Sequence, residues 1–214
     1  MAQSIQSLIA ASVTGVLRDL YPEQYMSLCH AHAIVGANII SLVFNRTYRP
    51  VAGVAMIDCG SEYMRLLDNN AFGKVEGGAY HCWIECADSS FVEREIVDLT
   101  YCHAHLYAKK NGYQWTRAQP SQYIWGPEKR VLVKGDPNRI SGPFAEGQIW
   151  LRETEEGWNW ITRHMSENMH AYVELTALAL KSLKARLPED SRLLESLMPA
   201  RAEPAARPGA LVTG

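Results

Sequence analysis

The features that would assign this chain at once to a special class are missing. It has no charge excess, since 21 lysines and arginines stand against 23 aspartates and glutamates for a formal charge of −2. A chain so balanced offers no electrostatic case for a nucleic-acid backbone or an anionic membrane surface. It also has no long apolar run. The longest stretch, from about Ala33 to Phe44, carries Asn38 and Ser41 and falls short of the roughly 20 residues a spanning helix needs. The opening Met-Ala-Gln-Ser-Ile lacks a basic stretch, so a cleaved secretory signal is not expected. Nor is there an even number of cysteines: the five cannot pair completely within the chain, which excludes a full intrachain disulfide framework. The expected setting is therefore a reducing, cytoplasmic one, where cysteines are packed, metal-bound or catalytic.

What is present suits an ordinary globular domain. Of 214 residues, 47% are hydrophobic and 21% charged, enough to bury a core. One domain over residues 1–187 is expected. A flexible tail should follow over 188–214, where Pro188, Pro199, Pro204 and Pro208 recur among alanine and arginine.

Apolar spacing at Ile5, Leu8, Ile9, Val13, Val16, Leu17 and Leu20 predicts a helix over 3–20. A second helix is expected from about Ser27 to Phe44, a strand over Val51–Cys59 and a short helical piece at Tyr63–Leu67. Loops are expected at Asn69-Asn70 and Gly77-Gly78. The clearest strands are Ala79–Ala87 and Phe91–Thr100, joined at Asp88-Ser89-Ser90. A short helix at Tyr101–Lys110 should stop at Asn111-Gly112, and another strand is expected at Arg130–Lys134. The last helix is predicted over Trp160–Arg186, its apolar stripe being Met169, Tyr172, Val173, Thr176, Leu180 and Leu183. Helices, then strands, then a helix define an α+β fold: N-terminal helices on an antiparallel sheet, closed by a long C-terminal helix.

Three polar residues occupy positions that favour chemistry. Cys29 falls in the first turn of a predicted helix, where free backbone N–H groups and the positive dipole end stabilise a thiolate. His81 and Asp98 fall on the two clear strands. With Ser89-Ser90 as a two-residue turn, His81 stands directly opposite Asp98, at a Cβ separation of about 4.5–5.5 Å. That is hydrogen-bond reach for an imidazole and a carboxylate, and it is the orienting half of a Cys-His-Asp triad.

His81-Cys82-Trp83-Ile84-Glu85 followed by Val97-Asp98-Leu99-Thr100 resembles the transglutaminase-like branch of the papain-type cysteine enzymes. That family shows an H-x-W-x-E strand, a D-x-T strand and an upstream cysteine at a helix start, the place Cys29 suits. The resemblance covers about residues 25–100. Leu28 and Leu99 depart from it, standing where small residues and proline are common.

The resemblance implies a helix packed on an antiparallel sheet and acyl chemistry through a thioester. Cys29 would attack a peptide or amide carbonyl, His81 would move the proton, and Asp98 would hold the imidazole. No cofactor is implied. Gln24 is an oxyanion candidate by the same analogy. Trp83, on the same strand face as His81, would wall the cleft or fill the core; His103 and His105 would line the cleft mouth. The partner would be a peptide or protein substrate or a small amide, with no nucleic acid and no membrane.

A competing reading comes from a near-repeat: Cys29-His30-Ala31-His32 is echoed by Cys102-His103-Ala104-His105. Residues three apart share a helix face, so Cys29, His32, Cys102 and His105 could close a Cys₂His₂ zinc site and leave Cys29 inert. A third reading is a catalytically silent binding protein that keeps the fold. Its apolar helical ends, 3–20 and 160–186, would then serve as a dimer interface or pack on the sheet.

Overall fold

The computed structural model describes residues 3–67, 80–87 and 93–188. Its elements, in chain order, are α1 (Ile5–Leu20), a 3₁₀ turn at Tyr25–Ser27, α2 (Cys29–Phe44), β1 (Tyr48–Asp58), β2 (Tyr63–Leu66), β3 (His81–Cys86) and β4 (Glu95–Asp98). A second 3₁₀ turn, Tyr101–His103, leads into α3 (Ala104–Lys110). Then come β5 (Ile124–Pro127), α4 (Glu128–Val131), β6 (Trp150–Glu153), α5 (Glu155–Glu167) and α6 (Met169–Arg186). The fold is α+β, and the pairings of the six strands among the described residues are antiparallel. Among the described residues no helix is long and apolar enough to cross a membrane.

β1 is the hub of the sheet. Its first half pairs with β3 and its second half with β2, while β6 pairs over Gly53–Met56. Gly53 stands opposite both His81 and Glu153, and Ala55 opposite both Leu66 and Leu151. β6 therefore takes one edge, while β3 and β2 share the other, one beyond the other. His81, the first residue of β3, stands where that edge passes from β3 to β2. β4 and β5 extend the sheet beyond β3.

Strand alternation distributes β3 between two cores. Cys82, Ile84 and Cys86 meet α2 in a core that also holds Ile9, Val13, Ile34, Ile39 and Leu183. Trp83 faces the other side, with Val51, Ile57, Ile96 and Ile124. The Trp83 indole N–H donates to Glu85 Oε1 at 2.8 Å, and Glu85 Oε2 accepts from Arg49 and Arg94 at 3.1 Å each. The buried carboxylate is thus neutralised from two sides, which a buried charge requires.

Both terminal helices pack inward. On α6 the buried residues are Tyr172, Leu175, Ala179 and Leu183, whereas Met169 and Val173 are 66% and 62% exposed. Of the expected stripe, Tyr172 and Leu183 are buried and Thr176 and Leu180 half-buried, so only Met169 and Val173 are corrected: contact with α1 and α2 centres the face of α6, which the local pattern does not encode. The expected single last helix is two. At Asn168 the side-chain amide donates to the His164 carbonyl at 2.9 Å, a local bond that competes with helix continuation.

Three further expectations change. Tyr63–Leu66 is a strand: Met64 and Leu66 are buried and Arg65 exposed, a period of two fixed by pairing with β1. Arg130–Lys134 is no strand. Glu128–Val131 forms one helical turn, closed by Leu132 N–H on the Glu128 carbonyl at 2.8 Å, and Leu132 makes a single parallel bridge to Ile149. β5 and β6, four residues each, are too short to show a period. Asn69-Asn70, Gly77-Gly78, the Asp88–Ser90 turn and residues 189–214 of the expected tail lie outside the described residues.

The hairpin register also differs. Ile84 faces Val97 and Glu85 faces Ile96, so continuation of the ladder sets Trp83, not His81, opposite Asp98. The slip is two residues, and an even slip preserves which side chains share a face. His81 and Asp98 therefore still meet, diagonally.

Gly157, in the first turn of α5, lies against β1. A Cβ there would come within 2.2 Å of the Ala52 carbonyl oxygen, a backbone atom that cannot step aside. Gly157→Ala should destabilise the protein by about 1–3 kcal/mol, read as a lower denaturation midpoint with an unchanged slope. An unaltered midpoint would show that α5 is not seated on β1.

Candidate active site

Cys29 is the first residue of α2, and the 3₁₀ turn Tyr25–Ser27 leads the chain into it. The first intrahelical bond is His32 N–H to the Leu28 carbonyl at 3.0 Å. The N–H groups of Cys29, His30 and Ala31 consequently point out of the helix end without intrahelical acceptors. Cys29 is half-buried and lines a cleft of about 690 Å³ together with Gln24, His30, His81, His103 and Trp160.

His81 Nε2 donates to Asp98 Oδ2 at 2.8 Å. The carboxylate is 1% exposed and the imidazole residue 7%. The other oxygen, Oδ1, accepts from the Thr100 N–H at 2.8 Å and the Thr100 hydroxyl at 2.7 Å. Both Asp98 oxygens are thus held, Nε2 is occupied, and Nδ1 is the ring nitrogen left for chemistry. Trp83 lies beneath, with its ring nearly parallel to His81 at 6.5 Å between centroids, so it belongs to the core and supports the imidazole.

The electrostatics follow from these contacts. Burial disfavours a charged His81, but the charge and hydrogen bond of Asp98 outweigh it, with help from Cys29, and raise the pKa above 6.5. Burial likewise opposes charge on Asp98. His81 and the two Thr100 bonds overcome it and lower that pKa below 3.8. The Cys29 thiol is held well below 9.0, first by the Cys82 thiol hydrogen-bonded to it. His30 and the positive charge of His81 add to this against the cost of burial. Cys82 keeps its proton, because its burial and the neighbouring Cys29 push its own pKa well up.

The other anticipated residues separate. Gln24 and His103 line the cleft, whereas His105 turns toward Trp115, 6.3 Å between ring centroids. The proposed zinc ligands do not converge. His32 Nδ1 is taken up with the Leu28 carbonyl at 3.0 Å, and burial drops its pKa to about 4. Cys102 donates to the Leu99 carbonyl at 3.8 Å, and burial lifts its pKa to about 12. Among the described residues no three histidine, cysteine or carboxylate side chains gather as a ligand set.

Two contributions escaped sequence reasoning. Cys82 reads as plain core on a buried strand, and only the seating of α2 brings its thiol to Cys29. Trp160 and His164 form the far wall, stacked at 5.0 Å and 15°. Their i, i+4 spacing on one helix face was a usable signal.

No family model and no curated protein matches the chain. A solved structure, the crystal structure of a genomics protein, is similar at a TM-score of 0.57 and 13% identity, covering 90% of this chain and 83% of that one. At that identity the likeness extends to the fold alone.

The thiol pKa held well below 9.0 and the imidazole pKa raised above 6.5 each favour the charged form of the group. Alkylation of Cys29 by iodoacetamide should therefore begin at lower pH than alkylation of Cys59 or Cys102, whose pKa values burial raises. Asp98→Asn weakens the imidazolium and should move the Cys29 midpoint upward. An unmoved midpoint would remove Asp98 from the electrostatics of the site.

Proposed function

We propose that this protein is a cysteine-dependent acyl enzyme of the transglutaminase-like kind, acting on a peptide bond or a carboxamide. One observation carries the reading: a helix-start cysteine shares a cleft with an imidazole whose far nitrogen is held by a buried aspartate. Cys29 as thiolate attacks the carbonyl carbon. The tetrahedral oxyanion meets the Cys29 backbone N–H, with Gln24 placed in the same cleft as the second donor. His81 passes its proton from Nδ1 to the departing amine, and a thioester remains on Cys29. Water or an amine then gives a proton back to His81 as it attacks, releasing acid or a transferred acyl group. Asp98 keeps the imidazole in the tautomer this exchange needs.

The cleft volume falls within the usual range for small-molecule sites and admits a side chain or a short peptide segment. Five free thiols accord with a reducing cytoplasmic location.

Acid quenching after incubation with glutamine-containing peptides should reveal an acyl adduct on the Cys29 peptide by mass spectrometry, lost on adding hydroxylamine. Cys29→Ala should abolish adduct and turnover, and His81→Ala should slow turnover by about 10²–10⁴-fold. Turnover that survives Cys29→Ala would sink the reading.

A further inference from the structure

The cleft holds an uneven set of charges. Among its described lining residues there is no aspartate or glutamate, whereas four of the chain's seven histidines line it together with Lys110. Burial holds the pKa of His103 and of His164 below 6.5, so neither adds charge near pH 7. A protonated His81 is matched by the Asp98 carboxylate at 2.8 Å. Lys110 is the one lysine or arginine described in the lining, and it is left as a cation that no cleft carboxylate balances.

Helix geometry turns this lysine toward the cleft. On α3 the lining residues Ala104, Tyr107, Lys110 and Asn111 recur at steps of three and four, the spacing of one helix face. Lys109 falls off that face and outside the lining. Both lysines complement the dipole at the end of α3, but only Lys110 does so from the cleft wall. Lys129 and Lys134 pair with Glu93 and Glu128, whereas Lys110 pairs with no described carboxylate. Opposite in character is the apolar floor of Ile57, Met64 and Leu66.

We infer that the cleft selects an acyl substrate bearing a carboxylate, its carbonyl at Cys29, its apolar body on this floor and its carboxylate paired with Lys110. This rests on the reading of Cys29 as the nucleophile. Lys110 then sets specificity and does not touch the reacting carbon. An amine-bearing substrate meets a like charge there and finds no described carboxylate in the lining to offset it, which disfavours it. A peptide C-terminus and an acidic side chain present the same anion to the ammonium.

Three nearly isosteric chloroacetyl dipeptides are the probes, each alkylating Cys29 as the thiolate displaces chloride. Glutaminyl-glycine amide is neutral, glutaminyl-glycine ends in a carboxylate, and glutamyl-glycine amide carries one on its side chain. Rates on the full chain are divided by those for 2-mercaptoethanol. At least one anionic probe should then outrun the neutral one by about two- to fivefold, the range of a solvent-accessible ion pair. The faster of the two shows which carboxylate the site reads. The advantage should shrink in about 1 M salt, where charges are screened within about 3 Å. Lys110→Met should abolish it, whereas Lys110→Arg and Lys109→Met should keep it. Equal rates for the three probes, or an advantage that survives Lys110→Met, would overturn the selectivity, and rapid iodoacetamide labelling of Cys29 would leave the nucleophile standing. Slow iodoacetamide labelling of Cys29 would overturn both.

Discussion

Eleven residues of β1 must satisfy three partner strands, and the site depends on how they are shared. One edge goes to β6. The other is divided between β3 and β2, so the sheet has a seam at His81. A continuous partner strand there would bury the imidazole under neighbouring backbone. The seam instead leaves the first residue of β3 beside a cleft, with Ile57 of β1 and Met64 and Leu66 of β2 forming its floor. Backbone hydrogen bonding, which leaves few buried groups unpaired, thereby sets where a reactive side chain can be both rigid and reachable.

Rigidity on the other side comes from a chain of buried polar contacts. Arg49 and Arg94 hold Glu85, Glu85 holds the Trp83 indole, and Trp83 lies against His81. Thr100 holds Asp98, and Asp98 holds His81. The imidazole is thus fixed by face and by edge. The Trp and Glu of the H-x-W-x-E string act as structural support for the histidine at its head. Cys29 completes the arrangement from a different layer, carried by the N-terminus of α2.

Much of this was legible in residue order because it depends on local period. The α1 and α2 helices, the β1 and β3 strands and the α+β class follow from spacings of 3.6 and 2. The short strands β5 and β6 did not, since four residues cannot establish a period. Tyr63–Leu66 took its conformation from its partner β1. On α6 the spacing holds for Tyr172 and Leu183, whereas Met169 and Val173 are exposed because the neighbouring helices bury Leu175 and Ala179 instead.

The register of β3 and β4 shows the same division. Given a turn of two or four residues, residue order by itself places His81 and Asp98 on one sheet face, because parity survives any even slip. Their diagonal meeting was decided by the tertiary ladder, which sets Ile84 against Val97. Cys29 was recognisable alone as a helix-start thiol. Which thiol and which imidazole surround it depended on how α2 crosses the sheet, a packing between layers that no local pattern encodes. The near-repeat of Cys-His-Ala-His separates for the same reason: one copy opens a helix at the cleft, and the other turns its cysteine toward a backbone carbonyl.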